Sequence, residues 1–144
     1  MRTEYSKTGI DKADVSHDPI VQFKTWIEEA SAAQCPEPNA MCVATVGHDL
    51  KPSARFVLLK AFDDRGFVFY TNLESRKSQQ LKENANAAAT FWWAALERSV
   101  RIEGEVELVS KIEADEYFNS RCRGAQVGAC TSNQSQPIGS REEL

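Results

Sequence analysis

At 144 residues, 42% hydrophobic and 26% charged, the chain has the length of one domain that buries roughly two-thirds of its unfolded surface. Seventeen basic against twenty-one acidic residues give a net charge of -4, which argues against a generic nucleic-acid or anionic-membrane binder and makes any anion site a local cluster. Cys35, Cys42, Cys122 and Cys130 show no CxxC and no ligand-like pairing with His17 and His48, so neither a metal site nor a disulfide framework is expected.

In chain order, residues 1–17 are polar and without periodicity and read as a flexible arm, with residues 18–144 as the domain. No apolar run approaches the ~20 residues of a membrane span, and a reducing cytoplasm is the expected setting. Asp18 before Pro19 is a helix-start signal, and Val21, Phe23, Trp26, Ile27 and Ala30 follow at helical spacing, predicting an amphipathic helix over 19–33. CPEPN ends it. The period then switches to two: AMCVATV, a GHDLKP turn, SARFVLLKAF, a DDRG turn and FVFYT read as an antiparallel meander. SRKSQQLKENA suits a short surface helix, and NAAATFWWAAL and SVRIEGEVELV return to strand. Ser110 and Glu113 form a capping box for the helix KIEADEYFNSR, with a further short helical segment around Ala125 to Cys130. Roughly five or six strands with helices before, between and after predict an α+β domain whose sheet curls into a small barrel.

The common local motifs of metalloproteases, serine hydrolases, NTPases and dinucleotide folds are absent, and the informative pieces are basic residues in apolar surroundings. Arg55 and Lys60 interrupt a strand otherwise suited to a core. Either each snorkels to solvent, or both belong to one site, which strict alternation permits only through twist, a bulge or the strand end. Arg76 and Lys77, after Tyr70 and Thr71, fall in the first turn of the next helix, where basic residues oppose the helix dipole. They are either a solvated surface or, with free backbone donors, a receptor for a phosphate dianion. Tyr117 and Arg121 stand four apart on one helix face, able to grip a flat phosphorylated ligand or simply to end an amphipathic helix. Gln134 and Ser135 offer donors and acceptors in a polar loop.

In order, DPIVQFKTWIEEA, NAMCVATV, KPSARFVLLK, GFVFYTNLESRKSQQL, VRIEGEVE, EYFNSR and QVGACTSNQS resemble the pyridoxine/pyridoxamine 5'-phosphate oxidase family across nearly the whole chain. The resemblance implies a homodimeric, antiparallel FMN-binding split β-barrel with flavin at the dimer interface. It also implies oxidation of pyridoxine or pyridoxamine 5'-phosphate by oxygen to pyridoxal 5'-phosphate, with release of hydrogen peroxide. By position, Arg55, Phe56, Val57, Leu58, Leu59 and Lys60 match a flavin-binding strand, Tyr70, Thr71, Arg76 and Lys77 match further flavin contacts, and Gln134 and Ser135 a later pair. Lys60, Tyr117 and Arg121 match substrate positions, and Arg2 and Tyr5 match an Arg-x-x-Tyr able to lid the site. The cofactor carries the oxidation, so no side-chain nucleophile is expected.

Three departures qualify the match. Family members continue past Leu144 with a tail that carries a flavin-contacting tryptophan and an Arg-x-His segment and supplies barrel strands, which predicts an open sheet edge here. Ser99 stands where the family has a flavin-contacting glutamine. Ala125 replaces a serine that donates to the substrate phosphate, at a cost of about 1 kcal/mol or more. The competing expectations are a non-catalytic FMN- or pyridoxal-phosphate-binding protein and an inactive truncated subunit.

Overall fold

The computed structural model describes residues 9–140 and 142. Arg2 and Tyr5 lie outside the described residues. Lys12–Asp14 form a 3-10 turn, and the backbone N–H of Ser16 donates to Gln22 Oε1 at 2.7 Å.

The first helix, α1 (Pro19–Ala32), starts where its signals place it: Asp18 Oδ1 accepts from the N–H groups of Ile20 (2.8 Å) and Val21 (3.3 Å), and Pro19 takes the first helical position. It ends one residue short of the expected span, after which Gln34 turns the chain in the left-handed region (φ 53°). Strand β1 (Ala40–Val46) alternates strictly, burying Met41, Val43 and Thr45. The run SARFVLLKAF, expected as one strand, is two: β2 (Pro52–Leu58) and β3 (Ala61–Asp63). The break has a hydrogen-bonding cause. Leu59 N donates to Asn39 O (2.8 Å), while the next amide, Lys60 N, donates to Val68 O (2.8 Å), so the backbone changes partner between adjacent residues.

β4 (Gly66–Val68) pairs antiparallel with β3 in the register Ala61↔Val68, Phe62↔Phe67 and Asp63↔Gly66. Gly66, at φ 144°, occupies a conformation that disfavours any side chain. Asp63 closes the turn by accepting from Arg65 N (2.9 Å) and from its guanidinium (2.7 Å), which holds the Asp63 carboxyl below its usual range. Helix α2 (Arg76–Glu83), strand β5 (Asn86–Trp93) and strand β6 (Arg98–Glu105) follow. Between the last two strands, Ala94–Leu96 make a 3-10 turn closed by Glu97 at φ 51°. Helix α3 (Lys111–Ser120) is capped by Ser110 Oγ, which accepts from Glu113 N at 3.1 Å, and α4 (Arg123–Thr131) is the further short helix. The four long strands form a sheet in the order β2-β1-β5-β6, and β3 and β4 form a separate two-stranded sheet. Among the described residues the strands do not join into one closed ring.

The chain divides into two compact units: Met1–Val43, Arg55–Phe69 and Ala89–Ile102 make the first, and Ala44–Ala54, Tyr70–Ala88 and Glu103–Leu144 the second. The two bury chemically different side chains. In the first, Phe23, Ala30, Cys35, Met41, Val43, Leu59, Phe91 and Trp93 form an apolar core. Phe23 is its hub, with ring centroids of Phe62, Phe67 and Phe91 at 4.9, 4.8 and 5.1 Å. Each such large side chain contributes about 1.5–3 kcal/mol on leaving water. At the edge of this unit Arg98 lies 4.7 Å from the Trp26 ring and pairs with Glu29, fastening α1 to β6. In the second unit, among the described residues, the buried side chains beyond glycine are those of Thr45, Ser75, Lys77, Ser78 and Gln80, every one polar. That inversion marks the second unit for a candidate site.

Candidate functional site

Buried polar groups persist only when hydrogen-bonded, so the second unit is read through its bonds. Lys77 is 5% exposed, and its ammonium donates to Thr71 Oγ1 (2.7 Å), Ser75 Oγ (3.0 Å) and Gln134 Oε1 (2.8 Å). Thr71 Oγ1 also donates to Gln134 Oε1 at 2.9 Å. Thr71, Lys77 and Gln134, separated by up to 63 residues, thus meet at one point. Ser135, beside them, holds a left-handed backbone (φ 69°).

The start of α2 carries the second half of the geometry. Ser75 is the N-cap residue, yet its side chain makes no capping bond; its hydroxyl oxygen instead accepts from the Lys77 ammonium at 3.0 Å and pairs with Ser78 Oγ at 3.2 Å. The helix therefore begins with first-turn N–H groups uncapped by that side chain, with Arg76 exposed and Lys77 buried in that same turn. Two cations against the positive end of a helix dipole are mutually unfavourable without an anion. A phosphate dianion fits the helix N–H groups and the Arg76 guanidinium as donors, with the buried Lys77 ammonium, its three N–H groups engaged by Thr71, Ser75 and Gln134, adding positive charge beside them. The phosphate of FMN meets that requirement.

A third feature belongs to the same unit. The rings of Tyr70 and Tyr117 are stacked, centroids 3.7 Å apart and planes 4° apart, and the Arg121 guanidinium carbon is 6.0 Å from the Tyr117 centroid. The expected partnership of Tyr117 and Arg121 is present: α3 ends at Ser120, and Arg121 is its C-cap, whose N–H still donates to Phe118 O and whose φ of -75° keeps its side chain four residues on from Tyr117, while ψ 147° turns only the chain that follows. Burial, then the negative charges of Glu113, Tyr117 and Glu116, push the Tyr70 phenol above its ordinary value. Ala125 is half-buried in the first turn of α4, presenting a methyl group where a hydroxyl was expected.

The strand matched to flavin contacts belongs to the first unit. β2 alternates, with Arg55 and Val57 half-buried, Phe56 77% exposed and Leu58 37% exposed; Leu59 is buried and Lys60 exposed. Arg55 Nη1 donates to Val43 O at 3.1 Å, so this guanidinium is tied to the sheet. Lys60 follows the end of β2, so the alternation that would oppose it to Arg55 does not extend to it. Beside this strand an open cavity of about 340 Å³ is lined by Pro36, Glu37, Ala40, Phe56, Val57 and Leu58. Ser99 is exposed on β6.

Sequence reasoning missed the supporting shell. Asn72 Oδ1 accepts from Glu74 N (2.7 Å), while Asn72 O accepts from Ser75 N (3.1 Å) and Ser78 Oγ (2.9 Å). Gln80 Oε1 accepts from Thr45 Oγ1 and Ser53 Oγ, each at 2.7 Å. The Asn-x-x-Ser run was a turn-and-cap signal open to reading. Gln80 carried none.

Comparison with known proteins supplies the lineage. The family model described as pyridoxamine 5'-phosphate oxidase matches residues 27–144. A pyridoxine/pyridoxamine 5'-phosphate oxidase of Nostoc sp. (strain PCC 7120) is 56% identical over all 144 residues, which span 67% of that relative. Among solved structures, PhzG from Burkholderia lata 383, in complex with tetrahydrophenazine-1-carboxylic acid, shares the fold at a TM-score of 0.86 and 29% identity, over 90% of this chain and 64% of that one. A pyridoxamine 5'-phosphate oxidase-related, FMN binding protein from Nostoc punctiforme PCC 73102 matches at 0.69 and 14% identity, over 90% of this chain and 72% of that one, a likeness of fold alone. The architecture is the antiparallel split β-barrel with flanking helices, and the chain belongs to the pyridoxine/pyridoxamine 5'-phosphate oxidase family.

Proposed function

We propose that the chain binds FMN and serves the oxidation of pyridoxamine or pyridoxine 5'-phosphate to pyridoxal 5'-phosphate. The observation that carries this reading is the meeting of Thr71, Lys77 and Gln134 at a helix start uncapped by its own serine, in a member of this family. Arg76, Lys77 and the first N–H groups of α2 hold the FMN phosphate, with Thr71, Gln134 and Ser135 along its polar chain. Arg55, Phe56, Val57, Leu58, Leu59, Lys60 and Tyr70 border the ring. Lys60 and Arg121 neutralise the substrate phosphate, Tyr117 stacks on its pyridine, and Arg2 with Tyr5 covers it. Bound FMN would supply the two-electron acceptor for oxidation at the C4' carbon, with oxygen as the final acceptor and hydrogen peroxide as its product; with pyridoxamine phosphate, water would enter and ammonia leave. The protein's part is to hold both phosphates, orient the pyridine and exclude bulk water.

A homodimer in the cytoplasm is part of the proposal. Phe56 and Trp92, 77% and 56% exposed, are large apolar side chains that a second copy would cover. The free thiols Cys35, Cys42, Cys122 and Cys130 suit a reducing compartment. A second reading, retention of FMN or pyridoxal phosphate without turnover, is favoured by Ala125 and Ser99, each lacking a polar reach that the family resemblance implies.

The test is to purify the chain, record flavin absorbance, add pyridoxamine 5'-phosphate and measure peroxide and pyridoxal phosphate. Product formation is expected. Yellow protein without product supports the second reading, and protein that stays colourless with added FMN sinks both. Lys77→Met removes a charged donor worth about 1.5–3 kcal/mol, so the Kd for FMN should rise about ten- to a hundredfold.

A further inference from the structure

We propose that Gln80 is a positioning residue that aims Arg76 and Lys77 at the cofactor phosphate, so that it sets the preference for a phosphorylated flavin over the same ring without phosphate. The inference rests on the phosphate reading of the α2 start.

Helix α2, RKSQQLKE, has a single apolar residue, Leu81, and the side chains it buries are Lys77, Ser78 and Gln80. Apolar packing is non-directional and here is nearly absent, so the rotation of the helix about its axis is set by hydrogen bonds, which are directional. Gln80 supplies the ones that reach strands β1 and β2. At 7% exposure its Oε1 accepts from Thr45 on β1 and Ser53 on β2, both at 2.7 Å, contacts that span 35 and 27 residues of chain. One turn further on, Glu83 Oε2 accepts from His48 N at 2.9 Å, and a Cβ on Gly47 would stand 2.4 Å from that oxygen, so a glycine in the β1–β2 turn is what admits the carboxylate. Glu83 is exposed, leaving Gln80 as the inner of the two fastenings.

Arg76 and Lys77 lie four and three residues before Gln80, the spacings that share a helix face. Fixing Gln80 against the two strands therefore fixes how the helix start presents both positions before a ligand arrives, with Lys77 held in addition by Thr71, Ser75 and Gln134, which is how preorganisation raises affinity. The residue type matters as well. A glutamate at 80 could accept the same two hydroxyls but would put a negative charge one turn from the phosphate.

The test measures Kd for FMN and for riboflavin by quenching of flavin fluorescence, in the 144-residue chain and in Gln80→Leu and Thr45→Val. With Gln80→Leu, the FMN Kd should rise about tenfold while that for riboflavin stays within about twofold. Thr45→Val should give part of this loss and add little on top of Gln80→Leu, because both cut one network. Equal weakening of the two ligands would mean a general loosening and overturns the inference, as does an unchanged FMN Kd. Should Gln80→Leu fail to fold, Thr45→Val and Ser53→Ala carry the same comparison. Parent protein that binds both flavins alike, with Arg76→Ala silent, overturns the phosphate reading itself and the inference with it.

Discussion

Tyr70 shows how neighbours rewrite one residue's chemistry. Its ring lies flat on Tyr117, and burial followed by the charges of Glu113, Tyr117 and Glu116 raises its phenol above the ordinary 10.0. A raised pKa means that the folded chain holds the proton more tightly than the unfolded one. The stabilisation is therefore fully present below pH 10.0 and is lost as pH rises through the folded value. Ultraviolet titration should show a phenol ionising above pH 10.0, and Tyr70→Phe should remove that step and flatten the alkaline decline in stability. A variant that titrates like its parent would contradict the assignment. Lys77 is the complementary case: a cation that sequence alone left either at a phosphate or on a solvated surface is 5% exposed in the fold.

At the scale of elements, α1 was legible because its signals are local. Asp18 before Pro19 supplies a cap and a preset φ, and both act within one turn. What binds the helix to the sheet is Phe23, whose ring meets Phe62, Phe67 and Phe91. The two contributions separate experimentally. Asp18→Ala should cost about 1 kcal/mol in urea denaturation, whereas Phe23→Ala should cost about 3–5 kcal/mol, a large share of the 5–15 kcal/mol typical of a domain. Comparable losses in the two variants would show that α1 is not anchored through Phe23. The strand boundaries were less legible for the opposite reason. SARFVLLKAF is uniformly suited to strand, and its break after Leu58 comes from Leu59 and Lys60 bonding to Asn39 and Val68, residues distant in sequence.

For the molecule as a whole, the contrast between an apolar first unit and a polar second one has a dynamic consequence. Hydrogen bonds exchange with water at modest net cost, whereas opening an apolar core exposes hydrocarbon. Amides of α2 should exchange with deuterium faster than those of Met41, Val43, Phe91 and Trp93, and FMN should slow α2 selectively. Equal protection in the free protein would remove this distinction.

The sequence by itself determined the order of elements, the capped helix starts at Asp18 and Ser110, the candidate cations and the family, because caps, periodicity and a long run of matching residues are properties of neighbouring positions. Only the tertiary structure decided that Lys77 is buried beside Thr71 and Gln134, that Gln80 joins Thr45 to Ser53, and that Tyr70 lies on Tyr117. Each depends on segments tens of residues apart meeting at hydrogen-bond or stacking distance. Propensity carries no record of such distances, since the same polar residues would serve equally well in water.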